Sequence, residues 1–386
     1  MANNLLGNYP HLKETLQTSI NQIHHIDCSL EEIELEEVEQ CSLTANTTLR
    51  VKLIWSAESD DELLPRRVML QVPNTDEQSS TEHGDAMQSN IKKYNIEVEF
   101  YALFKVHSET EVPLPCCYAA EKQADRPGLL VLEDLTDQGV FIEDISTGMT
   151  IGQLFSVTAA LANFHSWFLR NRSDWQSKLN IAHEDVLQLR DTMEAGLKQM
   201  KSEYPDRCAE VKFDLIMEKF TAENIAEWSD RICKSIPIVL TRKELWTNSV
   251  LFRKRSDGTP GDDLVAIVNW QTIGKGTLLE DICYLLSWCA TADTRRKYER
   301  ILMVYYRKKL EQGVDGSVQL PDNDSFWKAY KETFWLRGLM LLGMIPTLLS
   351  NPASNEGASN EEKKVVMLER AIACYNDSLA FLNEDD

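Results

Sequence analysis

The segment Thr241-Arg242-Lys243-Glu244-Leu245-Trp246-Thr247-Asn248-Ser249 runs straight into the apolar triplet Val250-Leu251-Phe252. A second apolar run, Leu264-Val265-Ala266-Ile267-Val268, follows a connector at Arg253–Asp263 that holds Gly258, Pro260 and Gly261. Two short apolar runs joined by Gly and Pro predict a β-hairpin. A loop with two cations and a carboxylate precedes the hairpin. Asn269-Trp270-Gln271 follows it directly, with Glu280-Asp281 beyond.

Helical spacing surrounds this hairpin. Upstream, Ile151, Leu154, Phe155, Leu161, Phe164 and Phe168 mark one face of a helix over Ile151–Arg170, and helices continue to about Ser235. Downstream, Leu279 to Leu382 reads as helical, interrupted by the low-complexity connector Asn351–Asn360. The chain before Glu133 has a different character. Strands are predicted at Leu49–Trp55 and Arg67–Val72, paired as a hairpin across the polar stretch Ala57–Pro65, and another at Gly128–Glu133. The polar stretch Asn74–Asn90 lacks periodicity and reads as a loop, with a helix from near Ile91 to Val106 whose buried face carries Ile96, Phe100, Tyr101 and Phe104. Leu12–Glu39 has helical spacing and then turns acidic, so it reads as a segment that packs on or flanks the first lobe. The expected organisation is an N-terminal helical extension over 1–40, a strand-rich lobe over 41–131, a hinge at 132–135 and a helical lobe over 136–386.

Composition narrows the function classes. Forty Lys and Arg against 61 Asp and Glu give a net charge of −21, which repels phosphate backbones and anionic bilayers and argues against a nucleic-acid role. Met1–Gly7 has neither a basic stretch nor a long apolar core, so no secretory signal is expected. The longest apolar run, Phe334–Leu349, contains Arg337 and Pro346 and falls short of the roughly 20 residues of a membrane span, so it is expected to be a buried helix. Nine cysteines, none in a CxxC pair, fit free thiols in a reducing cytosol. No GxSxG, HExxH, EF-hand or GxGxxG motif occurs. Gly274-Lys275-Gly276-Thr277 fails as a phosphate loop because neither Trp270 nor Asn269 supplies the required first glycine. His165, in Ala162-Asn163-Phe164-His165-Ser166-Trp167, lies on an apolar helix face and reads as a hydrogen-bonded core histidine.

Five segments occur in a fixed order: Met69-Leu70-Gln71-Val72-Pro73, Glu97-Val98-Glu99-Phe100-Tyr101, Leu130-Val131-Leu132-Glu133-Asp134-Leu135, Thr241–Ser249, and Ile267-Val268-Asn269-Trp270-Gln271 with Glu280-Asp281. Through them, from about residue 40 to 380, the chain resembles the choline-kinase-like and ecdysteroid-kinase-like family of small-molecule phosphotransferases. The resemblance implies an α+β, two-lobed protein-kinase-like fold, with a strand-rich N-lobe and a mostly helical C-lobe that contains an internal β-hairpin. Glu244-Leu245-Trp246-Thr247-Asn248 looks like the family's HGDLW-type catalytic loop, Val268-Asn269-Trp270-Gln271 looks like its IDWQ or IDFQ metal motif, and Asp281 matches its later DL motif.

Phosphoryl transfer in such a family rests on a strand lysine paired with a helix glutamate, an aspartate that meets the acceptor hydroxyl, and an asparagine and a second aspartate that hold magnesium. This chain departs at nearly every position. Gln71 stands at the lysine position, and Glu97 keeps the glutamate position without that partner. Arg242-Lys243-Glu244 replaces His-Gly-Asp, Ser249 replaces the loop asparagine, and Asn269 replaces the metal aspartate. Ser249 and Asn269 offer no formal charge to an ion that prefers carboxylates, so magnesium is not expected to bind. ATP binding is expected to be weak or lost, with Gln71, Glu97 and the hinge residues Leu132, Glu133, Asp134 and Leu135 as the positions it would use. The stretch Cys41–Asn46 holds no glycine to bring backbone close to phosphates.

The expected function is therefore a catalytically impaired, pseudokinase-type relative that binds a small-molecule ligand or a protein partner in the cleft enclosed by its lobes. The alternative is an active hydroxyl phosphotransferase with Glu244 as base and Arg242 or Lys243 neutralising phosphate charge. A third reading is an interaction protein that uses its acidic surface and the Asn74–Asn90 stretch. A structural role at a helix start, meeting backbone N–H groups, is expected for Asp281.

Overall fold

The computed structural model describes residues 9–37, 46–56, 64–73, 83–106, 112–171, 175, 186–350 and 360–383. The chain divides into two units. The first comprises the chain through Gly139 together with Val265–Thr272; the second holds most of the remainder, including Val140–Gln176 and Ile273–Asp386.

The first unit is built on a five-stranded sheet with β1 (Leu30–Glu37), β2 (Asn46–Trp55), β3 (Arg67–Pro73), β4 (Cys117–Glu121) and β5 (Leu129–Glu133) in the order β1-β2-β3-β5-β4. All neighbouring pairs are antiparallel. Alternation fixes the inward face: Leu49, Val51 and Leu53 on β2 and Val68, Leu70 and Val72 on β3 are buried. The predicted hairpin forms with Val51 opposite Val68. Helix α1 (Leu12–His24) buries Leu12, Leu16 and Ile20 against this face, each contributing about 2 kcal/mol by removal of apolar surface from water.

Three expectations are corrected in this unit. The segment 1–40 is not a purely helical extension, because β1 pairs along β2 as the outer strand of the sheet. Its alternation of Ile33 and Leu35 with Glu34 and Glu36 is a strand pattern, partly hidden by a register shift between Leu30 and Glu32. Five glutamates in this strand, Glu31, Glu32, Glu34, Glu36 and Glu37, keep an outer strand unattractive to other chains. Helix α2 begins at His83 rather than near Ile91 and extends to Val106; polarity at its start hid the onset. The first unit also continues past 132–135 to Gly139 and takes in Val265–Thr272, so 136–386 is not one uninterrupted lobe. Most of Ala57–Pro65, the first part of Asn74–Asn90, nearly all of Cys41–Asn46 and nearly all of Asn351–Asn360 lie outside the described residues.

The second unit is mainly helical: α3 (Ile151–Arg170), α4 (Val186–Glu203), α5 (Phe213–Lys219), α6 (Ala222–Ser235), α7 (Glu280–Trp288), α8 (Ala292–Val314), α9 (Asn323–Ser350) and α10 (Asn360–Asn383). Thr150 starts α3 with a reciprocal cap, its hydroxyl accepting from Gln153 N–H while the Gln153 side chain accepts from Thr150 N–H. Every residue of α7 is buried, as expected of a helix apolar on all sides at the centre of a core. The apolar run Phe334–Leu349 lies within α9, with Phe334, Trp335, Leu341, Leu342 and Ile345 buried. The predicted hairpin is β8 (Val250–Lys254) with β9 (Pro260–Ile267), joined by β6 (Gly139–Phe141) in the order β6-β8-β9. Sequence patterning did not predict β7 (Ile238–Thr241) and β10 (Gly274–Thr277), which pair antiparallel; each is too short to show a period.

The side chain of Asp134 is 1% exposed and its carboxylate accepts from Arg50 Nε at 2.7 Å and from the N–H and hydroxyl of Thr136 at 3.0 and 2.6 Å. Burial alone would raise its pKa, but the Thr136 and Arg50 hydrogen bonds together outweigh burial and hold it below the ordinary carboxylate value. A carboxyl whose pKa is lowered on folding stabilises the fold above its unfolded pKa, and that contribution fades as pH falls through the folded value. Asp134→Asn is expected to lower stability near neutral pH by about 1–3 kcal/mol. The gap between variant and wild type in denaturant midpoints should narrow below about pH 4; an equal gap at all pH values would show that the carboxylate charge is irrelevant.

Candidate functional site

The loop Arg242–Ser249 hangs from β7, and its anchor is Asp281 in the first turn of α7. Asp281 is fully buried and both its oxygens accept from Arg242 N–H, at 2.9 and 3.0 Å. One of them also meets His165 Nε2 at 3.0 Å, while His165 Nδ1 lies 2.5 Å from the Tyr306 hydroxyl. That hydroxyl also lies 2.7 Å from the Leu278 carbonyl. His165 is thus a hydrogen-bonded core histidine, as its sequence context predicted. Asp281 does serve structurally at a helix start, but the N–H it receives belongs to the loop rather than to its own helix. Burial, then the Asp281 charge, drives the Tyr306 phenol well above its usual pKa and keeps it neutral.

Each loop residue then has a defined setting. The Arg242 guanidinium is buried and its Nε donates to the Glu244 carbonyl at 2.9 Å, bracing the turn from within. Lys243 has φ 67, a left-handed conformation that suits glycine and costs another residue about 1 kcal/mol. The family's HGD motif carries glycine there. Lys243 Nζ donates to Glu280 at 3.2 Å. Its stem lies over Gly274, where a Cβ would come within 2.5 Å of Lys243 Cε, and at Gly276 a Cβ would come within 2.7 Å of Glu280 and the Thr241 hydroxyl. The Gly274 and Gly276 of the failed phosphate-loop match are therefore clearance for a Lys243–Glu280 pair. Glu244 presents its side chain to solvent. The buried Ser249 hydroxyl donates to the Trp246 carbonyl at 2.7 Å and lies 3.3 Å from Trp246 N, closing a 3-10 turn over Thr247–Ser249. Beneath the loop, Cys289 Sγ donates to the Leu245 carbonyl, and burial pushes its thiol up to about 12, against the opposing charges of Arg370 and Arg242.

The other predicted positions belong to the first unit. Glu97 on α2 is 1% exposed. One carboxylate oxygen accepts from the Asn46 amide at 3.0 Å and the other from Trp270 N–H at 2.9 Å. Trp270 stacks on Phe100 with centroids 4.2 Å apart, which fixes the segment carrying Asn269. Asn269 itself has φ 65, a conformation asparagine adopts more readily than most side chains. Gln71 sits on β3 opposite Thr48 and Leu130, its amide oxygen buried with no hydrogen-bond partner among the described residues. In the expected hinge, Leu132 is buried in β5, Glu133 N–H donates to the Cys116 carbonyl, the Asp134 side chain is committed to Arg50 and Thr136, and the Leu135 carbonyl accepts from Gln138 and Gly139 N–H. The structure thus gathers Arg242, Lys243, Glu244 and Ser249 in one loop, and Glu97 and Asn269 around the Trp270 backbone. Sequence reasoning missed Asn46 as the donor to Glu97. The two lie 51 positions apart, and no spacing rule links a strand start to a helix face at that distance.

Residues 50–385 match the family model DUF1679, described as "Uncharacterized oxidoreductase dhs-27". The chain belongs to that family. A curated relative of the same name from Caenorhabditis elegans is 23% identical over 283 residues, which cover 68% of this chain and 32% of the worm protein. The chain spans about a third of that relative. Among solved structures, a protein of Ralstonia eutropha assigned as an aminoglycoside phosphotransferase matches 95% of this chain and 98% of its own length, at 12% identity and a TM-score of 0.50. A choline kinase of Cryptosporidium parvum matches 91% and 89%, at 13% identity and a TM-score of 0.49. Other matched phosphotransferase structures were solved with GDP or ADP. The resemblance read from the motifs holds: this member of DUF1679 has the α+β, kinase-like fold of the small-molecule phosphotransferases. No helix among the described residues is long and apolar enough to cross a membrane.

Two substitutions separate anchor from ornament in the loop. Asp281→Ala leaves Arg242 N–H and His165 without their buried acceptor and is expected to cost about 3 kcal/mol or more. Lys243→Gly loses one ion pair but relieves the left-handed φ, and is expected to stay within about 1 kcal/mol of wild type. Chemical denaturation of both variants checks the contrast, and equal losses would contradict it.

Proposed function

We propose that this DUF1679 member is a phosphotransferase-fold protein without phosphoryl transfer, which binds a small-molecule ligand through the positions its relatives use for nucleotide and acceptor. The observation that carries the reading is that the groups such chemistry would employ are already committed. Lys243 is held by Glu280, the Ser249 hydroxyl by Trp246, and Glu97 by Asn46 and Trp270 N–H. A transferring phosphoryl group needs fixed positive charge or metal beside its oxygens. Gln71 brings an amide and no charge. Neither Ser249 nor Asn269 offers the carboxylate that magnesium prefers, and the Ser249 hydroxyl donates within its own turn. Among the described residues no cluster of three or more His, Cys, Asp or Glu could hold a metal ion. The eight described cysteines are all free, which supports a reducing, cytoplasmic setting.

Melting curves of the purified protein with ATP, with and without magnesium, together with a phosphate-release assay, test the proposal. Any shift with ATP is expected to be independent of magnesium, and release to stay at background. A ligand at 100 times its dissociation constant would add about 2.7 kcal/mol. Magnesium-dependent turnover that disappears in Glu244→Gln would overturn the proposal in favour of an active enzyme with Glu244 as base.

A further inference from the structure

Helix α8 departs from the charge of the rest of the chain. Within a molecule of net charge −21, its outer face carries Lys297, Arg300 and Lys308, all exposed. No ion pair joins any of these three to a carboxylate among the described residues; Lys297 lies 5.0 Å from the Tyr298 ring centroid and Arg300 5.6 Å from that of Trp327. On the same face stand Ile301, 55% exposed, and Val304, 48% exposed, the two most exposed large hydrophobic residues described. They lie three positions apart, as neighbours on one helix face. Single exposed aliphatic residues are ordinary. An adjacent pair framed by cations that lack acidic partners is not.

A third feature adjoins the pair. Val304 and Arg300, with Met303 of the same helix, line a cavity of about 60 Å³ closed by Phe326 and Trp327 from the first turns of α9, with Asp324 also in its lining. Asn323 also lines the cavity, which has the size of a socket for one small aliphatic group. Lys297 and Lys308 sit one turn beyond either end of the Ile301–Val304 pair, about 16 Å apart along the helix axis at 1.5 Å per residue.

We propose that the outer face of α8, with the Phe326–Trp327 socket, is a docking surface for an acidic amphipathic helix of a protein partner. One apolar side chain of that helix would fill the socket, and carboxylates about three turns apart would meet Lys297 and Lys308. Charge complementarity carries the choice of occupant. The cations of this face call for carboxylates, and Lys297 and Lys308 set their spacing. Two exposed aliphatic residues are also too small an apolar face for insertion into lipid, whereas a helix laid in a groove needs only a few spaced anchors. The surface lies entirely in the second unit, and the inference is independent of whether nucleotide binds.

The probe is a fluorescent 18-residue helical peptide with leucines on one face and glutamates flanking them, compared with the same peptide carrying lysine for every glutamate. The full-length protein is expected to bind the acidic peptide and not the basic one, with affinity falling at least tenfold between low salt and 0.5 M NaCl as the charges are screened. Ile301→Asp with Val304→Asp, and separately Lys297→Glu with Lys308→Glu, should each weaken binding at least tenfold. All four side chains are exposed, so melting temperatures should remain at the wild-type value and show that the fold is intact. Equal binding of the two peptides, or indifference to both double variants, would overturn the proposal. Self-association in sedimentation that is lost in Ile301→Asp with Val304→Asp would assign the face to a second copy. Binding to phosphatidylcholine–phosphatidylserine vesicles with the same dependence on these residues would assign it to a membrane. Either result also overturns the proposal.

Discussion

A single buried carboxylate organises the helical unit. Asp281 receives the backbone N–H of Arg242 and faces His165, and His165 is braced by the Tyr306 hydroxyl, which lies against the Leu278 carbonyl. Four segments distant in sequence meet at one charge: α3, the loop after β7, the start of α7 and the middle of α8. A carboxylate removed from water this completely is tolerable only when its lone pairs are met. The surrounding backbone is therefore held in the one arrangement that meets them.

That constraint holds the loop after β7 in place. Arg242 uses its main chain for Asp281 and turns its guanidinium inward to hold the Glu244 carbonyl. Lys243 takes up a backbone conformation suited to glycine and lies over the bare strand at Gly274. In the first unit the parallel case is Glu97, whose buried carboxylate accepts from the Asn46 amide and the Trp270 backbone N–H. In both places buried polar groups are met by donors from the chain itself, and the surrounding backbone is held.

Much of this was legible in the chain itself. The hairpins at β2–β3 and β8–β9, the bounds of α3, the core setting of His165 and the buried character of α9 all follow from periodicity, Gly and Pro turns and apolar faces, which act over a few residues. Trp246, Trp270 and Gln271 set the frame of the family resemblance, within which Gln71, Lys243, Ser249 and Asn269 read as departures. What remained hidden depends on contacts between distant residues or on elements too short to show a pattern. β1 was obscured by a register shift in an acidic run, β7 and β10 by their length, and Asn46 by its separation from Glu97. The commitment of Lys243 to Glu280 was equally invisible, since it arises only when β10 pairs with β7 and brings two glycines beneath the lysine.

The depth of Cys289 has a practical consequence. This thiol caps α7 and donates to the Leu245 carbonyl beneath the loop, and burial keeps it protonated at any physiological pH. Cys283 in the same helix and Cys374 in α10 are equally inaccessible. Alkylating reagents attack the thiolate and need room to approach, so these sulfurs are silent while the helical unit is closed. The rate at which they become modified is then a native clock for the opening of the core beneath the loop, read without any introduced label.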